Sequence, residues 1–90
     1  SNSMEYSYSK MNLKKGDIVE VNLEKQANVI LLDHINYVKF KNQRNYDYYG
    51  GFAKKNPCRM RVPNTGTWYL VVNQDGNSGI VNFSINTIQN

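Results

Sequence analysis

Basic and aromatic side chains are interleaved in one segment of the chain, and together these residue types are suited to binding an anion. From Lys39 to Arg61 there are seven basic residues against one acid, Asp47, which gives the segment a formal charge of +6. The rest of the chain has a formal charge of −2. Lysine and arginine neutralise phosphate or carboxylate groups, and aromatic faces stack on bases or sugars. We therefore predict a ligand-binding surface formed by six residues: Arg44, Tyr48, Tyr49, Lys54, Arg59 and Arg61.

Two of these arginines have the spacing of neighbours on one face of a strand. Arg59 and Arg61 are two positions apart, so both side chains project from the same face, about 7 Å apart. This spacing suits an anionic small molecule, and an acidic protein partner fits the same surface. Two further partners remain open: a nucleic acid, whose binding would depend steeply on salt, and a carbohydrate bound through exposed tyrosines. The alternative is a solvated face on which the arginine stems cover tyrosine rings.

Residues that could carry catalysis are few. The chain has one histidine, His34, and one cysteine, Cys58, which excludes zinc clusters of the usual spacing. Asp33 precedes His34, but neighbours in a strand face opposite ways and would not orient each other. We expect His34 to be structural or exposed, and Cys58 to be an unreactive thiol on an apolar face. The spacing Asn73-x-Asp75-x-Asn77 matches a calcium loop only in part, because the later glutamate is missing. The sequence thus predicts a non-enzymatic protein without cofactor or metal.

The elements that must position these residues are strands, because apolar residues alternate with polar ones along most of the chain. The apolar run 29–32 is short and β-branched at its start, which favours a strand buried on both faces. Only 35–42 breaks the alternation, so we allow one short helix or an irregular crossover there. The fold class predicted is all-β: a single-domain antiparallel β-sandwich, jelly-roll-like, with seven to eight strands and at most one short helix. The strands are expected at 5–11, 17–23, 28–33, 47–54, 58–62, 68–73 and 81–86.

The segment 48–51 has two tyrosines followed by two glycines. The two tyrosines would point to opposite faces of a strand, so we expect one in the core and the other exposed. Gly50 and Gly51 would allow either a bend with close packing or a ligand cleft beside the bend. Trp68 shares a face with Leu70 and Val72, so we expect it in the core with a partner for its indole N–H.

Length and composition limit the class of protein. Ninety residues, 40% of them hydrophobic, form one domain with a small core. No apolar run approaches the roughly 20 residues of a membrane span, and a lone cysteine allows no internal disulfide. No secretory signal is seen, so we expect a cytoplasmic protein. Residues 1–3 read as the remnant of a cleaved tag before a domain at 4–90. The many Asn, Lys and Ile residues suggest an AT-rich, bacterial genome.

An ordered set of short motifs resembles one family. Tyr48-Tyr49-Gly50-Gly51 is followed by a segment of the pattern P-x-R-x-x-V-P-x-x-G-x-W, from Pro57 to Trp68. This order resembles the bacterial DUF1883 family, and the resemblance covers most of residues 4–88. It implies a small β-sandwich of unestablished function, found alone or joined to a TIR domain, with no catalytic residues to carry over. The glycine-rich last loop of the family is replaced here by 73–79. The part from Gly66 to Ile85 also looks like the final hairpin of pre-peptidase C-terminal domains, which bind rather than catalyse.

Overall fold

Strands make up most of the structure, a computed structural model that describes residues 6–74 and 80–89. The described residues contain seven strands and one helix, which confirms the all-β prediction with one short helix. The expected remnant at 1–3 and the partial calcium pattern centred on Asp75 lie outside the described residues. The elements in chain order are β1 (Ser7–Leu13), β2 (Ile18–Leu23), β3 (Ala27–Asp33), α1 (His34–Lys41), β4 (Tyr49–Ala53), β5 (Cys58–Arg61), β6 (Gly66–Asn73) and β7 (Phe83–Ile88).

The strands form two sheets that pack face to face. The four-stranded sheet has the order β1-β6-β3-β4, and the three-stranded sheet has the order β5-β2-β7. Every pairing is antiparallel. Among the described elements, consecutive strands lie in different sheets except for β3 and β4, which are neighbours joined through α1. This alternation between layers gives the sandwich its jelly-roll-like connectivity.

The main core lies between the two sheets and is built from the inward residues of the alternating pattern. Val19 and Val21 of β2 pack in one cluster with Leu31 of β3 and Leu70 of β6, and all four are fully buried. Burying an aliphatic side chain of this size contributes about 1.5–3 kcal/mol, so this layer supplies much of the stability.

A second apolar cluster covers the other face of the four-stranded sheet. Helix α1 places Tyr37 and Phe40 over Ile30 and Leu32 of β3 and over Tyr69 of β6. The rings of Tyr37 and Tyr69 stack with centroids 3.9 Å apart and an interplanar angle of 7°. Strand β3 is therefore buried on both faces, as the run 29–32 predicts.

Helix α1 forms where the alternation breaks. Tyr37 and Phe40 are three residues apart, so a helix places both on the face that covers the sheet. Asp33 caps its first turn, and its carboxylate accepts a hydrogen bond of 2.8 Å from the N–H of Asn36. Lys39 and Lys41 lie in the last turn, where positive charge complements the helix dipole. The short helix allowed for at 35–42 thus begins one residue earlier, at His34. No helix in 6–74 or 80–89 has the length and apolarity needed to cross a membrane.

Candidate functional site

The structure does not bring the six residues of the predicted binding surface together. Tyr48 and Tyr49 lie where β4 begins, beside the end of β3, since Tyr49 pairs with Leu31. Lys54 follows the other end of β4, where Ala53 pairs with Ala27. Arg59 and Arg61 lie in the other sheet, on the outer face of β5, and Arg44 lies in the loop after α1. Residues close in sequence are separated in space because the chain changes sheets between β4 and β5.

The two arginines of β5 make contacts within their own sheet. Arg59 Nε donates to Glu20 Oε2 over 2.8 Å, and Arg61 Nη1 donates to the carbonyl oxygen of Gly16 over 2.9 Å. The hydrogen bond from Arg59, supported by one from Asn86, lowers the pKa of Glu20 below its ordinary value. The strand-face spacing predicted for the pair is present, but Glu20 offsets the charge of Arg59.

The lowered pKa of Glu20 predicts how stability changes in acid. Because the folded protein favours the ionised carboxylate, its contribution is present above the ordinary pKa of 4.5 and is lost as the pH falls through the folded value. Glu20→Gln should therefore lower the free energy of unfolding at pH 7, and the difference from the parent protein should shrink below pH 4.5. Urea denaturation across pH 3–7 measures this, and a difference that does not change with pH would contradict it.

Lys54 belongs to a basic end of the sandwich. A cavity of about 270 Å³ between the β2–β3 turn and the β4–β5 loop is lined by three lysines, Lys25, Lys54 and Lys55. We call this cavity with its lysines the lysine pocket. The loop is held by Asn56, whose Oδ1 accepts a hydrogen bond of 2.8 Å from the N–H of Leu23. Glu24, the acid among the lining residues, is bonded through its carboxylate to Asn82. The lysine pocket is thus a cationic surface at one end of β3.

Tyr48 and Tyr49 belong to a different site, at the opposite end of β3. Two cavities, of about 330 and 370 Å³, adjoin there and share Asp33 and Tyr49 in their linings. We call the pair of cavities the tyrosine cleft. Its polar and aromatic lining includes Asp33, His34, Asp47, Tyr48, Tyr49 and Trp68.

The two tyrosines are both half exposed, at 51% for Tyr48 and 49% for Tyr49. The expectation that one of them is buried is wrong, because Tyr49 lies on an edge strand and Tyr48 precedes that strand. Their rings contact different neighbours. The Tyr49 ring packs edge-on against Trp68, with centroids 5.9 Å apart, whereas Tyr48 contacts Tyr46.

Gly50 determines how closely β4 lies against its neighbours. It has φ +105°, and a Cβ added to it would lie 2.3 Å from the carbonyl oxygen of Val29 and 3.0 Å from the sulfur of Met60. Only glycine allows this approach. Of the two roles expected for the glycine pair, a bend with close packing therefore applies to Gly50. Its close approach to Val29 positions β4, and with it Tyr49, beside β3.

Trp68 forms the inner wall of the cleft. It is 4% exposed and its indole Nε1 donates to the carbonyl oxygen of Asn64 over 2.8 Å. Both the core position and the partner for the indole N–H are confirmed. The same bond holds the 64–66 turn against the cleft, because Asn64 and Trp68 both line it.

Asp33 and His34 have separate partners. Asp33 Oδ1 accepts from the backbone and side-chain nitrogens of Asn36, while His34 Nδ1 lies 3.2 Å from the hydroxyl of Tyr69. His34 begins α1 and is not in a strand, so its direction is set by the helix and not by strand alternation. Sequence reasoning missed Asp33 and Asp47 as lining residues of the cleft. The signal for Asp33 was its place as a helix cap, three residues before Asn36.

Cys58 packs against the main core, partly buried, as expected for an apolar face. Burial raises the pKa of its thiol. We therefore expect iodoacetamide to alkylate Cys58 several times more slowly at pH 8 than a free cysteine. Mass spectrometry over time measures the rate, with the urea-unfolded protein as the control. Equal rates in the folded and unfolded protein would contradict the expectation.

The described residues contain no group of three or more His, Cys, Asp or Glu side chains placed to hold a metal ion.

Comparison with known proteins identifies a family. No curated protein and no solved structure matches the chain. The family model described as "Domain of unknown function (DUF1883)" matches residues 4–90, nearly the whole chain. The resemblance carried by the tyrosine–glycine and proline–arginine–tryptophan motifs is thereby confirmed, and the chain belongs to the DUF1883 family.

Proposed function

We propose that this protein is a non-enzymatic binding module whose tyrosine cleft takes a neutral, hydroxyl-rich ligand of the carbohydrate class. The observation that carries the proposal is the pair of adjoining cavities that share Asp33 and Tyr49, with two half-exposed tyrosine rings at their rim. We keep the bacterial, cytoplasmic setting expected from the sequence as part of this proposal.

The chemistry of the lining favours hydroxyl groups over an anion. The lining residues of the two cavities include two carboxylates, Asp33 and Asp47, and neither lysine nor arginine. Carboxylate and amide oxygens accept hydrogen bonds from sugar hydroxyls, whereas they repel phosphate or carboxylate groups. The exposed faces of Tyr48 and Tyr49 offer flat apolar surface for the C–H face of a sugar ring.

The size of the cleft also fits a small ligand. Each cavity is within the lower part of the range found for small-molecule sites, about 300–1,000 Å³. Tyr49 lines both cavities, so a disaccharide with one ring in each cavity would contact Tyr49 through both rings. The buried Trp68 and the hydrogen-bonded 64–66 turn make the inner wall rigid, which reduces the entropy lost on binding.

Calorimetric titration with a panel of neutral mono- and oligosaccharides tests this function. Binding should be weak, unaffected by salt between 50 and 500 mM, and weakened at least about tenfold by Tyr49→Ala, which is about 1.4 kcal/mol. The matched control is Tyr8→Ala, which removes another exposed tyrosine ring, on β1, outside the cleft. Circular dichroism verifies that each variant is folded. Absence of binding across the panel, or equal losses for both variants, would overturn the proposal.

A second candidate function, binding of an anionic small molecule or an acidic partner, is favoured by the lysine pocket. Three lysines lie at one end of the molecule, and the acid beside them is engaged by Asn82. The test is binding of inorganic phosphate, an acidic peptide and an oligonucleotide to the parent protein and to Lys54→Glu/Lys55→Glu. Loss of phosphate or peptide binding in the variant supports this candidate, and unchanged binding refutes it. Oligonucleotide binding that falls steeply with salt would indicate the nucleic-acid alternative instead.

A further inference from the structure

The outer edge of β7 faces no other strand of residues 6–74 and 80–89. Strand β7 is the last strand of the three-stranded sheet and pairs, among the described strands, with β2. The N–H of Glu24 donates to the carbonyl oxygen of Asn82 over 3.0 Å, so the backbone of Asn82 points toward β2. In an antiparallel ladder this direction alternates, and the backbone groups of Phe83, Ile85 and Thr87 therefore point outward.

This edge lacks the protection that the other three edge strands have. Edge strands avoid unwanted pairing through charged residues, irregular backbone or short length. Strand β1 has Lys10, β4 has two glycines with positive φ, and β5 has four residues with arginines at 59 and 61. Strand β7, with the sequence FSINTI, has no charged residue and no proline.

Exposed apolar side chains lie three residues before β7 and at its last residue. Ile80 is 64% exposed and Ile88 is 43% exposed. Both positions are four residues from Ser84, one on each side. Large apolar groups beside an open strand edge are typical of a surface that another chain covers.

The sequence around Ser84 is close to a palindrome. Reading outward from Ser84, the paired positions hold Phe83 and Ile85, then two asparagines, then Val81 and Thr87, then two isoleucines. Residues 80–82 precede β7, and the hydrogen bond from Glu24 to Asn82 continues the β2–β7 ladder by one position before the strand. In an antiparallel pair of identical segments 80–88 centred on Ser84, each residue lies opposite its palindromic counterpart. Phe83 of one copy would then lie opposite Ile85 of the other, and Ile80 opposite Ile88. Like side chains meet except where Val81 lies opposite Thr87, and the outward backbone groups of residues 83 and 85 face each other.

We propose that β7, extended on pairing by residues 80–82, forms the interface of a symmetric homodimer, in which the segments 80–88 of two copies pair antiparallel about Ser84. The three-stranded sheets then join into one six-stranded sheet with the order β5-β2-β7-β7-β2-β5. The interface is isologous, because the same strand serves both copies and the two-fold axis passes beside Ser84. One strand pair with two isoleucine contacts is smaller than a standard interface, so we expect dissociation in the micromolar range, about 1–100 µM.

Sedimentation equilibrium of the parent chain from 5 µM to 1 mM tests the proposal. We expect a monomer–dimer equilibrium. Ser84→Lys should shift it to monomer by placing two like charges opposite each other, and so should Ser84→Glu. An equimolar mixture of these two variants should form a heterodimer, which shows that each variant is folded. Ser9→Lys on the open edge of β1 is the matched control and should leave the dimer intact.

A cross-linking experiment fixes the register. Ser84→Cys in a Cys58→Ser background should give a disulfide-linked dimer on mild oxidation, because opposed residues of a central antiparallel pair have Cα atoms within bridging distance. Ser9→Cys in the same background should remain monomeric. A protein that is monomeric at 1 mM, or a dimer that Ser84→Lys leaves unchanged, would overturn the proposal.

Discussion

Replacing Gly50 with alanine should destabilise the protein by about 3 kcal/mol or more. The new Cβ would lie 2.3 Å from the carbonyl oxygen of Val29, which is backbone and cannot swing away, and φ is +105°. The left-handed backbone costs an alanine about 1–2 kcal/mol, and overpacking adds about 1–3 kcal/mol. Urea denaturation followed by circular dichroism measures the loss.

Gly51→Ala is the matched control. Gly51 has φ +151°, but no atom lies within 4 Å of an added Cβ. Its substitution should therefore cost only the backbone strain, about 1–2 kcal/mol. Equal losses at the two glycines would show that the close contact with Val29 is not what makes Gly50 necessary. Because Gly50 follows Tyr49, Gly50→Ala should also weaken any ligand bound in the tyrosine cleft.

Tyr37→Ala should have a second large effect, a loss of about 3–5 kcal/mol, as for other large-to-small changes of buried aromatic residues. Tyr37 is the residue through which α1 stacks on Tyr69 of the sheet, with centroids 3.9 Å apart. Without its ring, the buried contact of the helix with this cluster would rest on Phe40, beside the contact of His34 with the Tyr69 hydroxyl. Thermal unfolding and urea denaturation measure the loss.

Two control variants distinguish the effect of losing the Tyr37 ring from the effects of changing the helix elsewhere or of losing the hydroxyl. Val38→Ala changes a residue of α1 that is 37% exposed and lies outside this cluster, and it should cost under about 1 kcal/mol. Tyr37→Phe keeps the stacked ring and removes a hydroxyl that lies 3.4 Å from that of Tyr6, which should cost about 1 kcal/mol or less. If Tyr37→Phe were as damaging as Tyr37→Ala, the hydroxyl and not the stacking would hold the helix.

The fold was predictable because alternation and burial leave few choices for this chain. Val19 and Val21 had to face the core once 17–23 was read as a strand, and the run 29–32 had to be buried on both faces. The sequence predicted the helix at 34–41 only as one of two alternatives. The helix depends on stacking between Tyr37 and Tyr69, which are 32 positions apart in the chain. The buried position of Trp68 was predictable because Leu70 and Val72 share its face of the strand.

The site was less predictable, since it depends on which strands become neighbours. Clustering of positive charge in sequence suggested one surface, but the change of sheet after β4 carries Arg59 away from Tyr48. Conversely, Asp33 and Tyr49 are 16 positions apart and meet because β3 and β4 pair through Leu31 and Tyr49. A period-two pattern gives the face of each residue but not the partner strand, so neither result could be read from the sequence.

The alternation of strands between the sheets also bears on how the chain folds. Strand β1 pairs with β6, β2 with β5 and β7, and β3 with β6, so these pairings each close a loop of many residues. The shortest closure is between β3 and β4, across α1. Neither sheet can therefore assemble from local hairpins alone. We expect folding in the millisecond-to-second range typical of such topologies, nucleated around β3, α1 and β4, with both layers appearing in one cooperative step.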